Sequence, residues 1–343
     1  MSEPVPVIDI SGWRSGDPTE RRRIAAVLDE SCRTTGFQQI VGHGVPAELY
    51  RDLKDVTDEF FSLDEAEKRR YEPSSRDVNR GYSARRTESL AYTLGDARPP
   101  DLAEAFIVGA DRFVDGDPYY EAERARSFAP NLWPARPARF REVVWAYFTA
   151  VGAVSRTLLD IAAVALGVDR AVFASATDRS VETLRCNWYR RRPEETELDP
   201  GQMGLGAHTD YGIITVVLAD PVPGLQVVGP DGGWIDVVPL ESGFVVNVGD
   251  ALAVWTNDIW RSTIHRVLPG VAGAERRRSY AFFQDGNLDA LIECLPTCRS
   301  EDRPPRYAPL TLGRHLHDKI HGGRNLEHPR DGIQTTGGRV GDP

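Results

Sequence analysis

Lysine is nearly missing from this sequence: Lys54, Lys68 and Lys319 are the only three among 41 basic residues. Cysteine is scarce as well, with four residues at 32, 186, 294 and 298. Their small number and wide scatter exclude a disulfide framework and a CxxC zinc site, so a reduced, cytoplasmic protein is expected. No apolar run reaches the roughly 20 residues that cross a bilayer. Residues 1–10 have no basic segment leading into an apolar core, so neither a membrane partner nor a secretory signal is expected. The net charge of −10, from 51 acidic against 41 basic residues, argues against a nucleic-acid-binding face. The arginine triplets at 21–23, 190–192 and 276–278 follow from the basic set being almost all arginine, and read first as solvated faces.

What is present is an ordinary globular composition. The 343 residues are 41% hydrophobic and 27% charged, enough for one large domain or two. Val5–Ile10 alternates like a strand. Asp17-Pro18-Thr19-Glu20 offers an N-cap, a proline at the first helical position and a glutamate placed to close a capping box. Ile24, Val27, Leu28 and Cys32 follow at helical spacing, and Gly36 marks the stop. Phe37–Val41 reads as a strand, and Pro46 opens a second helix through Leu49, Leu53, Val56 and Phe60. A long helix is expected from Pro137 to Leu166, with Phe140, Val143, Val144, Tyr147, Val151, Val154, Leu158 and Ile161 as its apolar stripe.

From about 183 the pattern turns to short β runs broken by turn residues. They are Leu184–Tyr189, Ile213–Leu218, Leu225–Val228, Trp234–Val237, Phe244–Val248, Ala253–Trp255, Ile264–Leu268 and Ser279–Phe283. The fold class expected is α+β with a mainly β core: a double-stranded β-helix, or jelly-roll barrel, with flanking helices. The chain then divides into an N-terminal region with substrate loops (1–135), a spine helix and connection (136–182), a catalytic core (183–285), a helical segment (286–320) and a mobile tail (321–343).

His208-Thr209-Asp210 opens the β region, and residues two apart on a strand share a face. His265, in a later strand, can close the set. Two histidines and one carboxylate on one side of a metal are the arrangement of non-haem Fe(II) oxygenases, with positions left open for cosubstrate and O₂. Arg277 and Ser279 begin the last strand, twelve residues after His265, and alternate to one face. They offer a guanidinium and a hydroxyl to a carboxylate. Asn187 and Tyr189 share a face of an earlier strand. Arg278 takes the opposite face, outward, and its removal is expected to change carboxylate binding little.

These motifs, in this order, resemble the isopenicillin N synthase-like branch of the iron(II)/2-oxoglutarate-dependent dioxygenases. The resemblance runs over nearly the whole chain. It includes Gly36-Phe37, His43-Gly44-Val45-Pro46, Arg80-Gly81-Tyr82, Asn131-Leu132-Trp133-Pro134, Asn187-Trp188-Tyr189, Gly224-Leu225-Gln226-Val227, Asn247-Val248-Gly249-Asp250, His265-Arg266-Val267 and Arg277-Arg278-Ser279. It implies that His208, Asp210 and His265 bind iron, that Arg277 and Ser279 hold the distal carboxylate of 2-oxoglutarate, and that Tyr189 and Asn187 assist. Two departures stand out. The family's Asn-Gly before the distal histidine is Asn257-Asp258 here, and the prolines after Asn-Trp-Tyr are replaced by Arg190-Arg191-Arg192, read as part of the arginine bias.

The activity implied is oxidation of an unactivated C–H bond of a small organic molecule, as in specialised metabolism. Succinate and CO₂ are released; hydroxylation is the default outcome, with desaturation or cyclisation open. Substrate contacts are assigned to Tyr82, Arg85, Glu88, Tyr92, Phe106 and Phe283. An Fe(II) oxidase without 2-oxoglutarate, of the isopenicillin N synthase type, is the alternative. A zinc hydrolase or a non-catalytic ligand-binding barrel is the remote one. His43, the His315/His317 pair, Asn247, Asp250 and the thiols of Cys294 and Cys298 receive structural readings. The oligomeric state is left open, with a monomer sufficient.

Overall fold

The computed structural model describes residues 5–75, 77–94, 98–190, 198–269 and 276–324. Helix α1 (Pro18–Thr34) starts as its sequence indicates: Asp17 accepts a hydrogen bond from the Thr19 amide, and Pro18 fills the first helical position. The capping box does not close, because Glu20 turns to Arg23 at 2.6 Å. Past the helix, Gly36 has φ +69°, and a side-chain carbon there would sit 2.1 Å from the Arg261 carbonyl oxygen. Only glycine fits that crossing.

Helix α2 (Ala47–Phe61) and helix α3 (Phe140–Leu166) complete the helical layer. Every residue of the expected α3 stripe is buried, and the helix starts three residues after Pro137. Among the described residues α3 alone is long and apolar enough to cross a membrane, yet most of its apolar window is buried inside the molecule. It is the core helix, packed on α1, α2 and the back of a sheet.

That sheet holds eight strands: β1 (Val7–Asp9), β2 (Phe37–Val41), β3 (Gly81–Ser83), β4 (Glu104–Gly109), β5 (Val181–Arg190), β7 (Ile214–Ala219), β10 (Phe244–Val248) and β12 (Arg276–Gly286). Their spatial order is β1-β2-β10-β7-β12-β5-β4-β3. A second sheet is built from β6 (Leu205–His208), β8 (Leu225–Val228), β9 (Trp234–Val237) and β11 (His265–Val267), in the order β6-β11-β8-β9. A two-stranded ribbon, β13 (Leu291–Ile292) with β14 (Leu310–Thr311), leads into a C-terminal helix (Leu312–Arg324) that extends four residues into the expected tail. The remainder of that tail lies outside the described residues.

One expected strand is a helix. Ala253–Trp255 belongs to a helical turn, Asp250–Trp255, in which all six residues are buried. A short, fully buried apolar run carries no periodicity to separate strand from helix. Asn257 and Asp258 follow with φ of 55° and 58°, so the Asn-Asp pair adopts the left-handed turn unaided by glycine.

Two residues assigned to substrate contact belong instead to the aromatic core. Phe106 packs edge-on against Phe60 and Phe140, each with ring centroids 4.9 Å away. Tyr82 is buried beside Phe60 and donates its hydroxyl hydrogen to Glu104 at 2.6 Å, where Lys68 also pairs. Both lie in strands within a stretch whose weak periodicity reads as substrate loops, so neither the strands nor the helices that cover them were legible.

Arg278 is another correction. It does face away from Arg277, but it is no free surface residue. Its backbone amide and Nε both donate to Asp220 at 2.9 Å, and its guanidinium reaches Asp58 of α2 at 3.0 Å. This half-buried link ties β12 to the helical layer. Arg278→Ala is expected to lower stability by about 1.5–3 kcal/mol, the worth of charged hydrogen bonds, read as a lower urea midpoint at unchanged slope. An unchanged midpoint would show that the link is ornamental.

Candidate active site

His208 ends β6, and Asp210 lies in the turn just beyond it rather than on the strand. Thr209 points the other way and donates its hydroxyl to Asp250 at 3.1 Å. His265 stands directly opposite His208 in the β6–β11 ladder, so antiparallel pairing brings the two imidazoles together, ring centroids 4.3 Å apart. Their Nε2 atoms are 3.7 and 3.8 Å from the same Asp210 oxygen, and the three ligand atoms lie within 4.8 Å of one another. Each Nδ1 faces a carbonyl oxygen, of Gly206 at 2.7 Å and of Thr263 at 3.1 Å. That places the proton on Nδ1 and leaves both Nε2 lone pairs aimed at the shared centre. Burial, and then the neighbouring His265, lower the His208 pKa to about 4, so this imidazole is neutral and ready to ligate.

Asp210 is oriented from behind. Asn247 on β10 donates its amide to one carboxylate oxygen at 2.7 Å, leaving the other toward the histidines. Burial alone would raise the Asp210 pKa; the two imidazoles and hydrogen bonds including that of Asn247 turn the net shift downward. Asn247 therefore touches a candidate ligand, where a turn-bracing role was expected. Asp250 is a brace: it gathers the hydroxyls of Thr209 and Ser262 and the ammonium of Lys319, 3.0 Å away on the C-terminal helix. No spacing in the sequence ties Lys319 to Asp250.

β12 runs along the neighbouring wall. Arg277 is 5% exposed, and its Nε and Nη1 have no hydrogen-bond partner. Tyr189, opposite it on β5, lies under the guanidinium at 5.2 Å from carbon to ring centroid. Ser279 is opposite Asn187, whose amide donates to its hydroxyl at 3.2 Å; the Tyr189 hydroxyl lies 3.4 Å away. A buried cation with idle donors beside a hydroxyl and a phenol is a seat for a carboxylate. The donor set of two imidazoles and a carboxylate, with this seat nearby, fits Fe(II) and 2-oxoglutarate.

The three candidate ligands, Asn247 and the four residues of the carboxylate seat line one cavity of about 170 Å³. Glu88 and Phe283, assigned to the substrate, line it too. Arg85 does not; its Nε donates to the Leu102 carbonyl instead. Tyr92 lies in the helical turn Leu90–Leu94, its side chain outside the described residues. Arg185 was missed: it pairs with Glu88 at 2.8 Å and donates to Asn187 at 2.8 Å. Its position two before Asn187 on one strand was the available signal. Leu316, also missed, reaches the cavity from the C-terminal helix. His43 bonds the Ser242 carbonyl oxygen, and His315 that of Tyr211, as structural residues do. Arg191 and Arg192 lie outside the described residues.

Comparison with known proteins agrees with this geometry. Residues 5–136 match the model of the non-haem dioxygenase N-terminal region described from morphine synthesis. Residues 180–286 match that of the 2OG-Fe(II) oxygenase superfamily. A 2-oxoglutarate-Fe(II) type oxidoreductase of Emericella nidulans is 36% identical over 311 residues, covering 90% of this chain and 86% of that protein. The chain belongs to the 2-oxoglutarate- and Fe(II)-dependent dioxygenases. Validamycin A dioxygenase of Streptomyces hygroscopicus is 32% identical, over 84% of this chain and 79% of its own. The structure is similar to that of a full-length Neurospora crassa protein crystallised in complex with 2-oxoglutarate, with a TM-score of 0.80 and 29% identity over 92% of this chain and 95% of that one. For this dioxygenase neither the cosubstrate-free oxidase nor a zinc hydrolase or non-catalytic barrel is favoured. Asn247→Ala is expected to weaken Fe(II) binding by about 10–100-fold, the usual cost of releasing a ligand from its orienting partner. An iron titration of the folded variant measures it.

Proposed function

We propose that His208, Asp210 and His265 hold Fe(II), and that Arg277, Ser279 and Tyr189, with Asn187 bracing Ser279, hold the distal carboxylate of 2-oxoglutarate. The reaction assigned is hydroxylation at an unactivated C–H bond of a small organic substrate; desaturation or cyclisation would need no different residues. The observation that carries the cosubstrate assignment is the buried Arg277 guanidinium with two donating nitrogens unused. A buried cation without an anion is costly, and a dicarboxylate supplies the anion.

When bound, iron and 2-oxoglutarate supply the redox chemistry, coupling reduction of O₂ and loss of CO₂ to oxidation of substrate. The chain supplies the rest. Asn247 fixes the Asp210 oxygen turned away from the histidines, and the carbonyls of Gly206 and Thr263 fix the two imidazoles. Val217, Leu225 and Val245 keep the inner cavity dry, which strengthens the Arg277 pairing. Glu88, Arg185 and Phe283 form the wall offered to the substrate. The two sheets facing across this cavity support a double-stranded β-helix reading of the core. The four unbridged thiols suit the reducing cytoplasm.

Alanine at His208, Asp210 or His265 should abolish stoichiometric Fe(II) binding and turnover while circular dichroism stays native. Full iron content with near-normal oxygen uptake in any of the three would remove that residue from the set. Arg277→Ala should weaken 2-oxoglutarate binding by about 100-fold or more, at about 1.4 kcal/mol per factor of ten. Arg277→Lys should recover only part, since an ammonium lacks the fork. Anaerobic titration of the iron–cosubstrate charge-transfer absorption measures both. Parent-like affinity in Arg277→Ala would sink the carboxylate seat.

A further inference from the structure

We propose that Asp285 anchors the substrate by pairing with a protonated amine or guanidinium carried on an otherwise apolar body. This rests on the cavity being the oxidation site, and it specifies the chemistry of what enters there.

Asp285 lies on the same strand as the cosubstrate seat. Arg277, Ser279, Ala281, Phe283 and Asp285 all line the cavity, as alternation along β12 requires. At Asp285 the pairing with β5 is interrupted. Gln284 is opposite Glu182 and Gly286 opposite Val181, so Asp285 is the unopposed residue of a bulge. Bulges beside active sites redirect a side chain.

Room for the carboxylate is made by a neighbouring residue. A side-chain carbon at Gly212 would fall 2.3 Å from Asp285 Oδ1 and 2.9 Å from its Cα. The turn after Asp210 thus keeps a glycine where any other residue would press on this oxygen.

Its charge is unmet. Asp285 has no hydrogen bond or ion pair among the described residues, and the charged groups that act on it, Asp210 and Glu182, are both acidic. Burial first, and then those two charges, push its pKa up to about 7. The nearby cations are engaged elsewhere. Arg112 and Arg156 approach Glu182 at 3.7 and 3.5 Å, and Arg185 holds Glu88 at 2.8 Å. Arg277 lies at the other end of the strand, on the cosubstrate seat. A desolvated carboxylate facing a cavity is stabilised by a cation brought in from outside. Glu88 and Arg185 on the wall neutralise each other, and Ile107, Leu205, Phe283 and Leu316 add apolar lining that suits a hydrocarbon or aromatic body.

The test uses the full chain loaded with Fe(II) and 2-oxoglutarate under nitrogen. It is titrated calorimetrically with phenethylamine and 2-phenylethanol, then with hexylamine and 1-hexanol; within each pair the ammonium is replaced by a hydroxyl. At least one amine should bind ten or more times tighter than its alcohol. Asp285→Asn should cut that preference to less than about threefold, with native packing checked by near-ultraviolet circular dichroism. If the variant does not fold, the amine-to-alcohol ratio of the parent decides alone. Equal affinities within both pairs, no binding of either amine, or an undiminished preference in folded Asp285→Asn overturns the proposal. Failure of the parent to develop the charge-transfer absorption with 2-oxoglutarate would instead overturn the cosubstrate reading, so the two failures are distinguishable.

Discussion

The candidate cosubstrate seat and the cavity wall beside it depend on the register of β12 between β5 and β7. Along its eleven residues one face carries Arg277, Ser279, Phe283 and Asp285 into the cavity, while Arg278, Tyr280 and Phe282 serve the helical side. Slipping the strand by one residue would exchange these sets completely. Three contacts on the helical side oppose that slip. Arg278 is clamped by Asp220 and Asp58, the Tyr280 hydroxyl meets Thr57 at 2.8 Å, and Phe282 packs edge-on against Phe148 of α3. The helices thereby determine which side chains the cavity receives.

The polar groups in and around this cavity fall into two kinds. Some are satisfied internally and act as rigid framework: Glu88 with Arg185, Asn187 with Ser279, and Asp250 with Lys319. Others are left wanting: the imidazole Nε2 atoms, one Asp210 oxygen, two Arg277 nitrogens and the Asp285 carboxylate. Buried groups of the second kind cost stability, and a fold keeps such groups where binding partners arrive. Their arrangement matches the proposed occupants: a dication at the triad and a carboxylate at Arg277.

Much of this could be read from the sequence, and the misses have physical causes. Helices α1 and α3 announced themselves because amphipathic stripes and terminal residues are local signals. The Arg-x-Ser pair was legible because strand alternation places both residues on one face, whereas the same rule points to the HxD motif although Asp210 lies just past the end of its strand. Tyr82 and Phe106 were misassigned because their stretch, read as substrate loops, forms two short edge strands that the helices cover. The helix at Asp250–Trp255 was hidden by total burial, which erases periodicity. Lys319 meets Asp250, and Leu316 the cavity, through tertiary contact with residues far back along the chain, a relation that no local pattern encodes.

The closing of the site by the C-terminal helix has a consequence for biosynthesis. Lys319 neutralises Asp250 behind the triad, His315 secures the Tyr211 carbonyl, and Leu316 completes a wall. All three leave the ribosome after both sheets. A nascent chain can pair its strands and bring the two histidines together while this wall is still open to water. The candidate ligands are therefore enclosed last, when the C-terminal helix docks and Leu316 completes the wall.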